Sequence, residues 1–234
     1  MKNEKTTIER FDSLPSTNDY AKAKRNEGKN LIVVAKTQPC GRGTKGRSFD
    51  SAFGGLYMSK LSFYEQFPAK RAFTIMQNAA AAVCETLAGF GVKPYIKWPN
   101  DIFVNGKKIC GILIENTFSG GYVRSSVVGI GLNVHNVLPE ALKDIATTLH
   151  TETGETVSVE EVERALIEKL DDGTVAEKYT QYLGLIGENV TLICGENVVR
   201  ATLIGVDGDG NLLARTASGE ERFSSAEVSL RSDV

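Results

Sequence analysis

Asn105-Gly106, set between Ile102–Val104 and the run Lys107–Glu115, constrains the fold more than any other feature of the chain. Both central residues of a type I′ turn need positive φ, which Asn and Gly adopt most cheaply, and the twist of that turn suits two antiparallel strands. A hairpin here commits the chain to a sheet. Tyr122–Ile130 is the strand expected to pair next, and Thr6–Phe11, Leu31–Lys36 and Leu56–Leu61 read as earlier strands. Tyr95–Trp98 is short and extended because Pro94 and Pro99 bracket it. Helices fall between and after these strands. Ser16 followed by Asp19 resembles a helix start feeding Tyr20–Glu27, stopped at Gly28, and the alanine-rich stretch Ala69–Ala88 reads as a long buried helix ending near Gly89 and Gly91. Ser158 and Glu161 form a capping box for a helix through Leu170, with further helix at Val175–Leu183.

Gly184–Gly187 marks a boundary. Beyond it, Val190–Cys194, Val198–Val206, Leu212–Thr216, Glu221–Phe223 and Val228–Leu230 are short strand-like runs separated by Gly, Asp and Asn turns, the pattern of a small β-barrel. A chain of 234 residues can bury a substantial core and carry such an appendix. A formal charge of -2 and 41% hydrophobic content argue against a nucleic-acid surface spread over the whole protein, so an anion site must be local. Met1-Lys2-Asn3-Glu4-Lys5 lacks the apolar stretch of a signal peptide and no later segment approaches a membrane span, so the expectation is a cytoplasmic protein without a membrane partner. Cys40, Cys84, Cys110 and Cys194 are scattered, and His135 and His150 are the only histidines, which argues against zinc and against a hydrolase triad.

Gly41-Arg42-Gly43-Thr44-Lys45-Gly46-Arg47 carries the chemistry: glycine permits close backbone approach, and guanidinium forks hold pairs of anionic oxygens. The run nearly satisfies a P-loop, but Arg47 stands where that motif needs lysine and Phe49–Gly55 is a poor first helical turn. Taken alone it reads equally as a solvated basic loop. Counting by twos along the second hairpin strand puts Lys108 on one face with Cys110, Ile112 and Ile114, a charge at the end of an apolar row. Such an ammonium either reaches water near the turn or meets an anionic ligand.

The glycine run, Lys97-Trp98-Pro99-Asn100-Asp101, Lys108-Ile109-Cys110-Gly111-Ile112-Leu113-Ile114-Glu115 and Gly129-Ile130-Gly131-Leu132-Asn133 occur in one order, with Ser16-Thr17-Asn18 before them and Val228-Ser229-Leu230-Arg231 at the end. Together they resemble biotin protein ligases over nearly the whole chain. The resemblance implies an α+β fold: a mixed-sheet catalytic core similar to class II aminoacyl-tRNA synthetases and lipoate ligases over residues 1–184, then an SH3-like β-barrel over 185–234. It implies a monofunctional enzyme without the helix-turn-helix of repressor-type members. Its chemistry joins biotin to ATP as biotinyl-5′-AMP, with Mg2+, then passes biotin to a lysine of a biotin carboxyl carrier protein. Carried over by motif, Ser16, Thr17, Asn18, Gln38, Gly41, Arg42, Gly43, Thr44, Lys108, Gly111 and Gly131 would surround biotin. Arg42, Lys45, Arg47, Lys97, Trp98, Asn100 and Asn133 would face ATP, and Asp101 would meet the magnesium ion.

Arg42 and Lys108 are the expected catalytic cations, since fixed positive charge best stabilises a transition state formed between two anions. Trp98 and Asp101 also read, respectively, as a core tryptophan and a turn residue. Two positions depart from the family pattern: Thr44 replaces the second arginine of Gly-Arg-Gly-Arg and Phe49 the usual tryptophan, so faster escape of the adenylate is expected. Alternatives are a lipoate ligase on the same scaffold, a biotin-binding sensor without transfer activity, or an RNA-binding module. The last lacks an aromatic platform near the basic loop. The resemblance leaves open a homodimer paired through a sheet edge.

Overall fold

The computed structural model describes residues 6–224 and 228–232, with Lys45 and 228–232 described by backbone alone; the reading of Met1–Lys5 lies outside these residues. In chain order the elements are β1 Thr7–Phe11, α1 Thr17–Ala23, β2 Leu31–Ala35, β3 Leu56–Pro68, α2 Phe73–Gly89, β4 Tyr95–Lys97, β5 Asp101–Val104, β6 Lys107–Ser119 and β7 Tyr122–Leu132. There follow α3 Leu149–Thr153, α4 Val159–Asp171, α5 Tyr179–Tyr182, β8 Asn189–Cys194, β9 Asn197–Val206, β10 Leu212–Thr216, β11 Gly219–Phe223 and β12 Val228–Ser232.

The Asn-Gly turn behaves as its chemistry demands, with φ of 49° at Asn105 and 78° at Gly106. It joins β5 to β6 inside a seven-stranded sheet of order β1-β2-β3-β7-β6-β5-β4, parallel only between β1 and β2. One face carries Ile32, Met58, Ile112 and Ile130 against the buried alanine stripe of α2 and the apolar side of α4. On the other face α1 covers Leu31, Val33, Leu61 and Val127 through Ala21. Further along this second face the strands carry Gly129, Gly131 and Gly111, approached by Asn18 of α1 and by Phe49 rather than by an apolar layer.

The C-terminal strands form an antiparallel sheet of order β11-β10-β9-β8-β12, the SH3-like unit. Val190, Leu192, Leu203 and Leu212 join the same apolar core as α2. Among the described residues no helix is long and apolar enough to cross a membrane.

Several boundaries differ from the sequence reading, for physical reasons. β3 and β6 run on to Pro68 and Ser119 because their polar ends still pair with the start of β7, where a partner strand outweighs composition. Ala69–Arg71 is a 3₁₀ turn, and the long helix begins only at Phe73. Val175–Leu183 divides into a 3₁₀ turn, Val175–Lys178, and α5. The short helix α3 was not foreseen, although Thr148 caps it by accepting from Thr151 N and Gly154 ends it at φ 73°.

The largest correction concerns Lys108. Asp101 pairs with Gly111 and Ile102 with Cys110, but Phe103 then pairs with Lys108, so a register shift leaves Ile109 as an extra residue. Both Ile109 and Cys110 enter the core at 0% exposure, and Lys108 turns to the face of Gly111 and Asp101. It does not share the row of Cys110, Ile112 and Ile114. Two adjacent apolar residues beside the turn were the available signal for this bulge.

Candidate functional site

The glycine-rich stretch of the sheet is the floor of a cavity of about 40 Å³. A Cβ on Gly131 would lie 2.6 Å from the Phe49 ring, and one on Gly111 would lie 3.2 Å from that ring and 3.1 Å from Lys108 Nζ. At Gly131 a side chain would force the ring away, whereas at Gly111 the fit is merely tight. Pockets for small ligands run to roughly 300 Å³ or more. Phe49 takes up part of this space, its half-buried ring resting on the glycine floor 5.8 Å from Lys108 Nζ.

The basic run hangs over this floor as a small hairpin, with Arg42 bridged to Ser48, Gly43 N bonded to Arg47 O at 2.7 Å and Phe49 N to Gly41 O at 2.9 Å. Its tip is a 3₁₀ turn at Thr44–Gly46, and no helix follows, so the P-loop alternative is structurally absent.

The polar side chains Thr17, Asn18 and Gln38 of the cavity wall are held in a connected series that extends behind it. Ser16 caps α1, its Oγ accepting from Asp19 N at 3.3 Å, which lifts Thr17 and Asn18 onto the sheet. Asn18 Nδ2 donates to Glu115 Oε2 at 3.0 Å, and Asn18 Oδ1 lies 2.6 Å from Ser59 Oγ, which is also 2.8 Å from Thr17 Oγ1. Thr17 donates through N and Oγ1 to Gln38 Oε1 at 2.8 and 3.0 Å. Gln38 Nε2 continues to Ser51 Oγ at 3.0 Å, and Ser51 donates to the Phe49 carbonyl at 3.1 Å. Ser59, Ser51 and Glu115 were not singled out as site residues from sequence. Ser59 had a visible signal, a serine between Tyr57 and Leu61 on the inward face of a buried strand, and Glu115 ended a motif without an assigned role.

Both expected catalytic cations stand on this wall with carboxylate partners. Arg42 Nη1 is 2.6 Å from Asp19 Oδ1 and its Nη2 is 3.9 Å from Glu115 Oε1, while Lys108 Nζ is 2.7 Å from Asp101 Oδ1. These pairs are 25–50% exposed at their side chains. Exposed pairs of this kind are worth about 0–1 kcal/mol, so an arriving anion can exchange with them cheaply.

Burial alone would raise the Glu115 carboxyl, but hydrogen bonds from Lys22 and Asn18 outweigh it and hold it below the ordinary carboxylate range. Asp19 is likewise pushed up by burial and pulled lower overall by Lys22 and Arg42. A carboxylate depressed in the folded state stabilises above its unfolded pKa, and that contribution disappears as pH falls through the folded value. Urea unfolding midpoints should therefore decline below about pH 4.3, the unfolded glutamate value. Glu115→Gln should flatten the decline; an unchanged slope would show that this carboxyl is not a source of the acid sensitivity.

Of the residues expected from sequence, Ser16, Thr17, Asn18, Gln38, Arg42 and Gly43 line the cavity, as do Thr44, Asn100, Asp101, Lys108, Gly111 and Gly131. Gly41, Lys97 and Arg47 are not on its wall, and of Lys45 only the backbone is described. Lys97 lies over the Phe103 ring at 4.9 Å. Asn133 is buried beneath the following loop, donating to Thr147 O at 3.1 Å and accepting from Asn136 at 3.2 Å. Trp98 is 3% exposed and lies below the wall, its ring nitrogen bonded elsewhere.

Asp101 is the carboxylate this wall offers a cation, and among the described residues no group of three or more His, Cys, Asp or Glu could hold a metal unaided. That donor set suits an ion carried mainly by substrate phosphates and water. Cys40 is exposed beside the loop, whereas Cys84 and Cys110 are buried, and burial pushes both of their thiols up.

A mixed sheet with a glycine floor, a polar wall and two cations lining one cavity is a scaffold suited to a ligand that carries an anionic group. The sequence profile of the Biotin/lipoate A/B protein ligase family matches residues 10–133 and that of the Biotin protein ligase C terminal domain matches 185–231, so the chain belongs to the biotin protein ligase family. It is 35% identical to the Bifunctional ligase/repressor BirA of Bacillus subtilis, over 94% of this chain and 72% of that protein. It is 28% identical to the Biotin--[acetyl-CoA-carboxylase] ligase of Paracoccus denitrificans, over 84% and 88% respectively. The structure of the Biotin protein ligase from Aquifex aeolicus in complex with biotin and ATP superposes with a TM-score of 0.76 at 29% identity, covering 100% of both chains.

Proposed function

We propose that this chain is an ATP-dependent ligase that activates biotin as biotinyl-5′-AMP with release of pyrophosphate, then transfers biotin to a lysine of a biotin carboxyl carrier domain with release of AMP. The carrying observation is one cavity that combines a glycine floor, the Thr17–Asn18–Gln38 wall and the cations Arg42 and Lys108. The division of labour follows residues 1–184 for adenylation and 185–234 for the barrel. Thr17, Asn18 and Gln38 offer fixed donors and acceptors to the ureido head, so an analogue lacking a matching group leaves them unpaired. The glycine floor receives the apolar body once Phe49 moves aside. Lys108 meets the biotin carboxylate and Arg42 the α-phosphate, which places positive charge where negative charge concentrates.

Asn100, Lys97, Asn133, Arg47 and Lys45 belong to the nucleotide side. Mg2+, when bound with ATP, would be held by Asp101 and would screen phosphate charge. Transfer then needs the acceptor amine, of ordinary pKa about 10.4, to be deprotonated and held beside the mixed anhydride. The chemistry fits a cytoplasmic enzyme acting on a carboxylase subunit. The outer side of β1 is the sheet edge on which a second copy would pair.

The test is incubation with ATP, magnesium, biotin and an apo carrier domain, scored by the carrier's gain in mass, with lipoic acid as competitor. Modification by lipoate but not biotin would overturn the reading, and biotin binding without transfer would favour a sensor. Thr44→Arg should slow release of biotinyl-5′-AMP, followed as dissociation of labelled adenylate from the enzyme. Equal release rates would show that Thr44 does not weaken the loop.

A further inference from the structure

Trp98 belongs to the segment that enters the cavity wall, yet its own polar atom points to the other domain. Its Nε1 donates to the carbonyl oxygen of Gly210 at 3.0 Å, in the turn between β9 and β10. Asp207 shapes that turn: its Oδ1 accepts from the backbone N–H of Asp209 at 3.0 Å and of Asn211 at 2.9 Å, and its Oδ2 from Asn211 Nδ2 at 3.1 Å. Gly210 has φ +90°, and a Cβ there would lie 2.3 Å from the Phe73 ring at the start of α2. The turn is thus wedged between the long helix and the indole. Two residues after Trp98, Asn100 Nδ2 donates to Ile112 O at 2.7 Å and Asn100 O accepts from Ile112 N at 3.0 Å. Asp101 follows at once and holds Lys108.

We infer that Trp98 is a positioning residue for the ATP half of the reaction, fixed by the Asp207–Asn211 turn and setting Asn100 and Asp101. This rests on the functional reading above, in which ATP lies against Asn100 and Asp101. The polar groups offered to the ureido head, Thr17, Asn18 and Gln38, are tied to one another, to Ser59 and to Glu115 rather than to the Trp98 segment, so the two substrates should respond differently. Small displacements of a reacting group are amplified in rate and binding.

The test is biotin-dependent pyrophosphate exchange into ATP by the full chain. Trp98→Phe keeps most of the ring volume and removes the donor, and Asp207→Ala dismantles the turn without touching any residue of the cavity wall. Both should raise the KM for ATP about tenfold while the KM for biotin stays within about twofold. Asp207→Asn, which retains an acceptor oxygen, should restore most of the ATP affinity. If both substrates' KM values rise together, or neither moves, the inference is overturned; a folding failure in Trp98→Phe leaves Asp207→Ala to decide. Wild-type protein inactive with biotin would overturn the functional reading instead, and this inference with it.

Discussion

Lys108→Ala is expected to slow biotin-dependent adenylate formation by about 10²–10³-fold, the usual cost of removing one fixed group that stabilises transition-state charge. The bulge at Ile109 sends this ammonium to the face of Gly111, next to Asp101 and above the glycine floor. Its ion pair is about one-third exposed, so losing it should change stability by no more than about 1 kcal/mol. Rate and stability therefore separate. Pyrophosphate exchange and thermal unfolding of the same preparation measure both, and a fall of less than tenfold in rate would remove Lys108 from the chemistry. Arg42→Ala should behave alike, because Arg42 too is held by part-exposed pairs, with Asp19 and, at 3.9 Å, with Glu115.

Gly129→Ala should damage both stability and biotin binding. A Cβ at this position would lie 2.0 Å from Asn18 Oδ1 and 2.8 Å from its Cγ. Asn18 cannot step aside freely, since it is 4% exposed and bonded to Glu115 and Ser59. Overpacking of a well-filled site costs about 1–3 kcal/mol, and each abandoned buried partner adds to it. We expect a loss of about 2–4 kcal/mol in urea unfolding and at least about tenfold weaker biotin binding by calorimetry. Wild-type values for both would mean that the Asn18 side chain neither fills this space nor shapes the pocket.

How much of this was legible in sequence depended on whether the signal was local. The Asn105-Gly106 turn, the Ser158–Glu161 capping box and the buried alanine stripe of α2 are short-range patterns, and each formed where its chemistry required. The family motifs located most of the cavity wall, because Ser16 to Asn18, Gln38, Arg42 and Lys108 converge on it. What sequence left hidden was pairing across distance. Counting by twos assumed regular strand pairing, and one extra residue in β6 reversed the face of Lys108. Ser59 and Ser51 look ordinary until β3 and the loop bring them between Asn18 and Phe49. Nothing local indicates that the indole of Trp98 should seek a carbonyl 112 residues away.

Phe49 lying on the glycines has a calorimetric consequence. Biotin entering this site exchanges one apolar body for another, so the net oily surface withdrawn from water is less than the vitamin's own area. The heat-capacity decrement on binding should be correspondingly small, since that quantity follows net apolar burial. A protein whose loop carried alanine at this position would show the fuller decrement, because its vacant floor would already have been wet.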